Sequence, residues 1–151
     1  MNVEISKMTE ADIENIAKIE QECFQDPWSE RSLFEELENP VADFFVAKID
    51  GETAGYIGSF NVVGEVSITN VAVSEKFRKN GVATRLLEHL EKVSREKNAE
   101  FITLEVRESN ENAIALYRKC GFSEVGLRKN FYSHPTENAV LMTKPLLTVK
   151  S

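Results

Sequence analysis

A chain of 151 residues with 42% hydrophobic content is long enough to bury one sizeable core and too short for two comfortable ones, so one domain over residues 1–151 is expected. Its formal charge of -7 argues against a protein that binds nucleic acid by neutralising phosphates. The same balance fits a cytosolic protein and would suit a basic substrate.

Cys23 and Cys120 lie far apart and outside any C-x-x-C frame, and His89 and His134 have no partner at ligand spacing. Neither a disulfide scaffold nor a protein metal site is expected. The start, Met1-Asn2-Val3-Glu4-Ile5-Ser6-Lys7, lacks the basic-then-apolar layout of a secretory signal, and no apolar run approaches membrane-spanning length. The expectation is a cytoplasmic protein with no membrane partner.

A short strand over Val3 to Lys7 leads into Thr9-Glu10-Ala11-Asp12, which reads as a capping box. Ile13, Ile16, Ala17 and Phe24 follow at helical spacing, giving a helix over about 10–23. Asp26-Pro27-Trp28-Ser29 breaks it, and Ser29 caps a second helix with the apolar stripe Leu33, Phe34 and Leu37, ended by Asn39-Pro40. Trp28, in the connection, either plugs the edge of the core or meets a ligand.

Phe44 to Ile49 and Thr53 to Phe60 flank Asp50-Gly51, a strong hairpin signal. A third antiparallel strand is expected from Val66 to Val73. Beyond a basic turn, Ala83, Leu86, Leu87, Leu90 and Val93 mark one face of a helix running to about Lys97. The strand Phe101 to Val106 alternates, with Phe101, Thr103 and Glu105 on one face. A strand, helix and strand in this order predict parallel pairing of 66–73 with 101–106. Ser109-Asn110-Glu111-Asn112 opens a fourth helix closed by Gly121. Strands over Phe122 to Leu127 and Ala139 to Lys144 then enclose a loop, 129–138.

The turn between the third strand and the long helix concentrates Lys76, Arg78, Lys79 and Arg85 in an acidic chain. A glycine-bearing turn into a helix offers free N–H groups and the positive end of the helix dipole. Gly81 lets a ligand approach the backbone, and Ala83 keeps the first helical turn small. By spacing alone the segment fits a polyanion site or a solvated loop equally well.

The order of elements resembles the GCN5-related N-acetyltransferase family, whose members carry Gln/Arg-x-x-Gly-x-Gly/Ala at the start of the long central helix. Arg78-Lys79-Asn80-Gly81-Val82-Ala83 fits each defined position. Asn-x-x-Ala-x-x-Leu-Tyr-x-x-x-Gly-Phe, from Asn110 to Phe122, follows in place. Within that family the chain is most similar to the bacterial ribosomal-protein-alanine N-acetyltransferases, through Pro27-Trp28-Ser29-Glu30, Asn70-Val71-Ala72-Val73, Leu104-Glu105-Val106-Arg107 and Arg128-Lys129-Asn130-Phe131-Tyr132. The loop after Tyr132 is shorter than in the best-known members, and Glu137-Asn138 stands where Glu-Asp is usual.

The resemblance implies an α/β (α+β) fold: a mixed, mostly antiparallel sheet of about six to seven strands with four helices. It also implies acetyl-CoA as co-substrate, bound by Arg78 and the turn after it, with the pyrophosphate on the N–H groups of Lys79, Asn80, Gly81, Val82, Ala83 and Thr84. Its pantetheine arm would run along Val71, Ala72 and Val73, with Asn110 as a further contact and the Val73 N–H as oxyanion donor. Glu105 interrupts an apolar strand and matches the proposed general base, although a strand-end carboxylate facing solvent has the same pattern. Tyr117 matches the general acid that protonates the departing thiolate. Trp28, Tyr132 and Glu137, on loops flanking the cleft, would meet the acceptor. That acceptor would be a protein amino terminus, such as a ribosomal protein's alanine. A lysine side chain, a small-molecule amine or a non-catalytic CoA-binding role remain the alternatives.

Overall fold

The computed structural model describes residues 2–147. Seven strands, β1 (Val3–Lys7), β2 (Ala42–Ile49), β3 (Glu52–Val62), β4 (Glu65–Val73), β5 (Phe101–Arg107), β6 (Ser123–Tyr132) and β7 (Glu137–Pro145), form one sheet in the order β1-β2-β3-β4-β5-β7-β6. Four helices accompany them: α1 (Ile13–Cys23), α2 (Glu30–Glu35), α3 (Val82–Glu96) and α4 (Glu111–Lys119). Single 3-10 turns stand at Glu10–Asp12, Glu36–Glu38 and Glu75–Phe77. Every neighbouring pair is antiparallel except β4 with β5. The expected mixed sheet with four helices is therefore what forms.

Local chemistry sets the boundaries. Asp50 and Gly51 both take positive φ, 51° and 80°, the conformation whose twist matches a two-residue hairpin. Ser29 accepts the Ser32 N–H at 3.1 Å and so starts α2. At the first capping box the Asp12 carboxylate accepts both the N–H and the hydroxyl of Thr9, at 2.8 and 3.0 Å. Helix α4 ends at Gly121, φ 99°, where the Phe122 N–H reaches the Tyr117 carbonyl and the Gly121 N–H reaches that of Arg118. This is a Schellman closure, and its apolar contact is the edge-on pair Tyr117–Phe122, 5.9 Å between ring centres. The cap thereby fixes the ring of Tyr117.

Two expectations need correction. Parallel pairing of β4 with β5 covers only Glu65, Val66 and Ser67 against Phe101, Ile102 and Thr103. Between Gly58↔Asn70 and Ser59↔Ile68 the β3–β4 register shifts by one, leaving Thr69 as a bulge that bends β4 away from β5. The ten-residue loop expected over 129–138 is also mostly strand: β6 runs to Tyr132, β7 starts at Glu137, and a tight turn remains. Within this stretch only Tyr132 pairs with β7, against Glu137; Lys129 to Phe131 form a bulge in β6, with Asn130 at φ 53°.

The sheet is packed on both faces. On one, Ile57, Val66, Ile102, Leu104, Val106 and Met142 meet Leu86, Leu87 and Leu90 of α3 and Ile114 of α4. On the other, Phe44, Val46, Tyr56 and Ala72 meet Ile13, Ile16 and Ile19 of α1 and Leu33 of α2. The sheet thus separates two apolar clusters, one on each face.

Candidate active site

From residue 68 to 73, β4 is paired to β3 alone, so its other edge lines a gap facing β5. The Val73 carbonyl takes Arg78 Nε at 3.2 Å and the Cys23 thiol at 3.5 Å, so Val73 directs its backbone to the open edge. The Ser74 N–H, one residue on, reaches Ala54 in β3. By alternation Val71 also turns its N–H and C=O outward, whereas Asn70 and Ala72 turn theirs to β3.

A cleft of about 460 Å³ opens against this edge, lined among others by Val71, Ala72, Val73, Arg78, Lys79, Gly81, Val82, Ala83 and Thr84. Lys79 and Gly81 take left-handed φ of 67° and 73°. Helix α3 starts at Val82, and among the described residues no acceptor meets the N–H groups of Lys79, Asn80, Gly81, Val82, Ala83 or Thr84. Consecutive free amides at a helix start form an anion-binding concavity. The Asn80 side chain lies outside the cleft lining, its amide donating to the Phe77 and Arg78 carbonyls at 3.1 and 3.2 Å; it holds the turn's shape. Lys76 is paired with Glu52 at 3.0 Å.

Asn110 accepts the Ala113 N–H at 3.1 Å as the cap of α4 and is absent from the lining. Asn112, with Ala113 and Leu116, faces the cleft instead. Cys23 and Phe24 complete the wall from α1.

On β5 the side chains of Ile102, Leu104 and Val106 enter the α3 core, which turns Glu105 to the α1–α2 side. Glu105 Oε1 lies 3.7 Å from Arg128 Nη1, while Oε2 is buried with no hydrogen-bond partner among the described residues. A buried carboxylate oxygen without a partner marks a place where a donor belongs. The phenol of Tyr132 stands close enough to Glu105 that burial, and then that carboxylate's charge, raise its pKa. Tyr117 is pushed up to about 12, by burial first and then by Tyr132 and Cys120. Tyr117 packs against the α3-side core beside Phe122, outside the cleft lining, and keeps its proton at neutral pH.

The flanking loops are tied down from inside. Glu137 accepts the Ser109 N–H at 2.6 Å and Arg107 Nη1 at 3.2 Å, and those hydrogen bonds lower its pKa. Arg107 also donates to the Ser133 and Pro135 carbonyls at 3.2 and 3.1 Å and stacks 4.5 Å from the Tyr132 ring centre. Glu137 is thus engaged by the protein's own donors and places the turn that carries Tyr132. Trp28 packs 5.7 Å from Phe44, centre to centre, and its backbone N–H donates to Glu20 at 2.8 Å.

Sequence reasoning passed over Arg107, Arg128, Asn112, Cys23 and Glu20. A signal existed for the last, since Glu20 falls on the apolar stripe of Ile13, Ile16 and Ala17, where a carboxylate must have buried partners. Nothing local marks the others. Among the described residues no group of three His, Cys, Asp or Glu comes together as a metal site, and no helix is long and apolar enough to cross a membrane.

A strand edge and free amides at a split in the sheet, with a carboxylate on the facing strand and a protonated phenol on the helix that follows it, suit acyl transfer to an amine. Residues 13–122 match the acetyltransferase (GNAT) family model. A Bacillus subtilis protein provisionally named a ribosomal protein bS18-alanine N-acetyltransferase is 37% identical over 139 residues, covering 91% of this chain and 92% of the relative. An N-alpha-acetyltransferase of Sulfurisphaera tokodaii is 37% identical over 148 residues, covering 89% and 88%. The crystal structure of the ribosomal-protein-S18-alanine N-acetyltransferase from Escherichia coli superposes with a TM-score of 0.90 at 30% identity, covering 99% of this chain and 97% of that one. The chain belongs to the GNAT acetyltransferase family, and is an acetyl-CoA-dependent N-acetyltransferase.

Proposed function

We propose that this protein acetylates the amino-terminal amine of a protein in the cytoplasm, the acceptor being the amino-terminal alanine of a small-subunit ribosomal protein. The observation that carries the chemistry is the unpartnered, buried Oε2 of Glu105 at the mouth of the split. The names of the Bacillus subtilis and Escherichia coli relatives support the acceptor.

Acetyl-CoA supplies an activated thioester. The free N–H groups of Lys79 to Thr84 hold its pyrophosphate, and the open edge at Val71 and Val73 receives its amide-bearing arm as an added strand would be received. The outward N–H groups of Val71 and Val73 are the donors available to oxyanion charge. Glu105 takes the proton of the amine, directly or through water. Tyr117, its pKa near 12, gives a proton to the leaving thiolate. An α-amine, with a pKa of about 8, is partly neutral near pH 7.5, whereas a lysine at about 10.4 is only about 0.1% so. One carboxylate is modest help, and it suits the amine that needs less.

Mass spectrometry of amino-terminal peptides from cells with and without the protein tests the acceptor. Loss of acetylation on a ribosomal protein's amino-terminal alanine is expected. An unchanged set of amino termini would overturn the proposal.

A further inference from the structure

One buried charge has no part in the chemistry above. Glu20 of α1 is 0% exposed, and a carboxylate in a core is unfavourable unless its neighbours donate to it. Three do, from three separate elements: the Trp28 N–H at 2.8 Å, the Tyr56 hydroxyl at 2.7 Å and the Asn70 amide nitrogen at 3.1 and 3.3 Å. Asn70 presents its NH2 to both oxygens of Glu20 and so turns its carbonyl oxygen away. Among the described residues nothing donates to that Oδ1, and Asn70 is half-buried rather than sealed.

The place of Asn70 gives this free acceptor a meaning. It is the residue after the Thr69 bulge, in the segment of β4 that has left β5. Val71 and Val73 pack toward the α3 core, so Asn70 faces the α1–α2 side, as Glu105 does across the split. Its neighbour in β3 is Gly58, where the Phe44 ring and the Thr69 hydroxyl fill the place a side chain would take, so Asn70 is approached from the split and not from β3. Among the described residues each wall of the mouth therefore presents an oxygen that no donor meets: the buried Oε2 of Glu105 and Oδ1 of the half-buried Asn70.

We propose that Asn70 binds the acceptor amine through Oδ1, and that the buried Glu20 is the positioning residue that holds it in that orientation. A neutral primary amine has two N–H donors. One goes to Glu105, the other to Asn70, and the lone pair is left pointing toward the cleft. Because Glu20 also holds the Trp28 N–H, the loop on the acceptor side and the Asn70 rotamer are set by the same carboxylate. The inference rests on the amine acetyltransferase activity, and stands whether the acceptor is an amino terminus or a lysine.

The test is steady-state kinetics with saturating acetyl-CoA, using an alanine-initiated peptide and, in parallel, an amino-terminally blocked lysine peptide; whichever the wild type acetylates is used for the variants. Preference for the lysine peptide would remove the amino-terminal reading and leave this cycle intact. Asn70→Ala is expected to raise the acceptor KM about tenfold, the size of one hydrogen bond, with CoA affinity unchanged. Glu20→Gln, whose single carbonyl cannot accept all three donors, is expected to raise the same KM to a similar degree. The double variant should show no further rise. Glu20→Asp, which shortens the reach, serves if Glu20→Gln does not fold. An unchanged KM in Asn70→Ala overturns the binding role. A lowered melting temperature in Glu20→Gln with KM unchanged, or effects that multiply in the double variant, overturns the positioning role.

Discussion

The turn that leads into α3 and the mouth where β4 leaves β5 are built on opposite principles. The turn is local: Lys79 to Thr84 are consecutive, their N–H groups are free because a helix starts there, and Gly81 supplies the left-handed φ of 73°. The mouth is assembled from distant segments. Glu20, Trp28, Asn70, Glu105, Arg107, Tyr132 and Glu137 come from α1, one loop and four strands, and are held largely by side-chain contacts. Backbone chemistry can hold a phosphate, which looks the same in every CoA. Recognition of one acceptor needs side chains, and those can come from anywhere in the chain.

Substitutions should therefore separate the two regions. The largest effect is expected from Glu105→Gln and Tyr117→Phe, each lowering kcat by about 10²–10⁴ with CoA affinity nearly intact. Full activity in both would break the role assignments. Next, Gly81→Val puts a β-branched residue at positive φ with open space around its Cβ. Backbone strain of about 1–2 kcal/mol is the expected cost, read as weaker CoA binding in calorimetry, with the acceptor KM unmoved. The mirror image is Glu137→Ala, which frees Arg107 and the turn after Tyr132. It should raise the acceptor KM several-fold and leave CoA binding alone.

A smaller effect lies outside both regions. Burial by itself would raise the pKa of Asp12, but the Thr9 N–H, Lys48 and the Thr9 hydroxyl together bring it below its ordinary value. A carboxylate whose folded pKa is lowered stabilises the protein fully above the usual carboxylate range and loses that contribution as pH falls through the folded pKa. Asp12→Asn should cost about 1 kcal/mol at neutral pH, measured by urea unfolding, and the cost should vanish under strongly acid conditions.

The same contrast decides what could be read in the sequence. The turn, the hairpin at Asp50-Gly51 and the end of α4 at Gly121 were legible because each is set by neighbours along the chain. Glu105 stood out as a charge in an apolar strand. The partial pairing of β4 with β5 was not legible, since a bulge at Thr69 depends on the register of β3 and leaves no mark in local composition. Asn110 caps α4, while Asn112, which no motif singled out, lines the cleft. Glu137, expected to meet the acceptor, proves to tie β7 to Ser109 and Arg107, a partnership between residues about thirty positions apart.

The most direct test is a competition on one molecule. A peptide with a free amino-terminal alanine and an internal lysine is incubated with the protein and acetyl-CoA, and the modified nitrogen is located by fragmentation. The account predicts a single acetyl group on the α-amine, formed in step with free thiol, at a rate that levels off above about pH 8 as that amine becomes neutral. Acetylation of the lysine instead, with a rate still rising toward about pH 10, would contradict it.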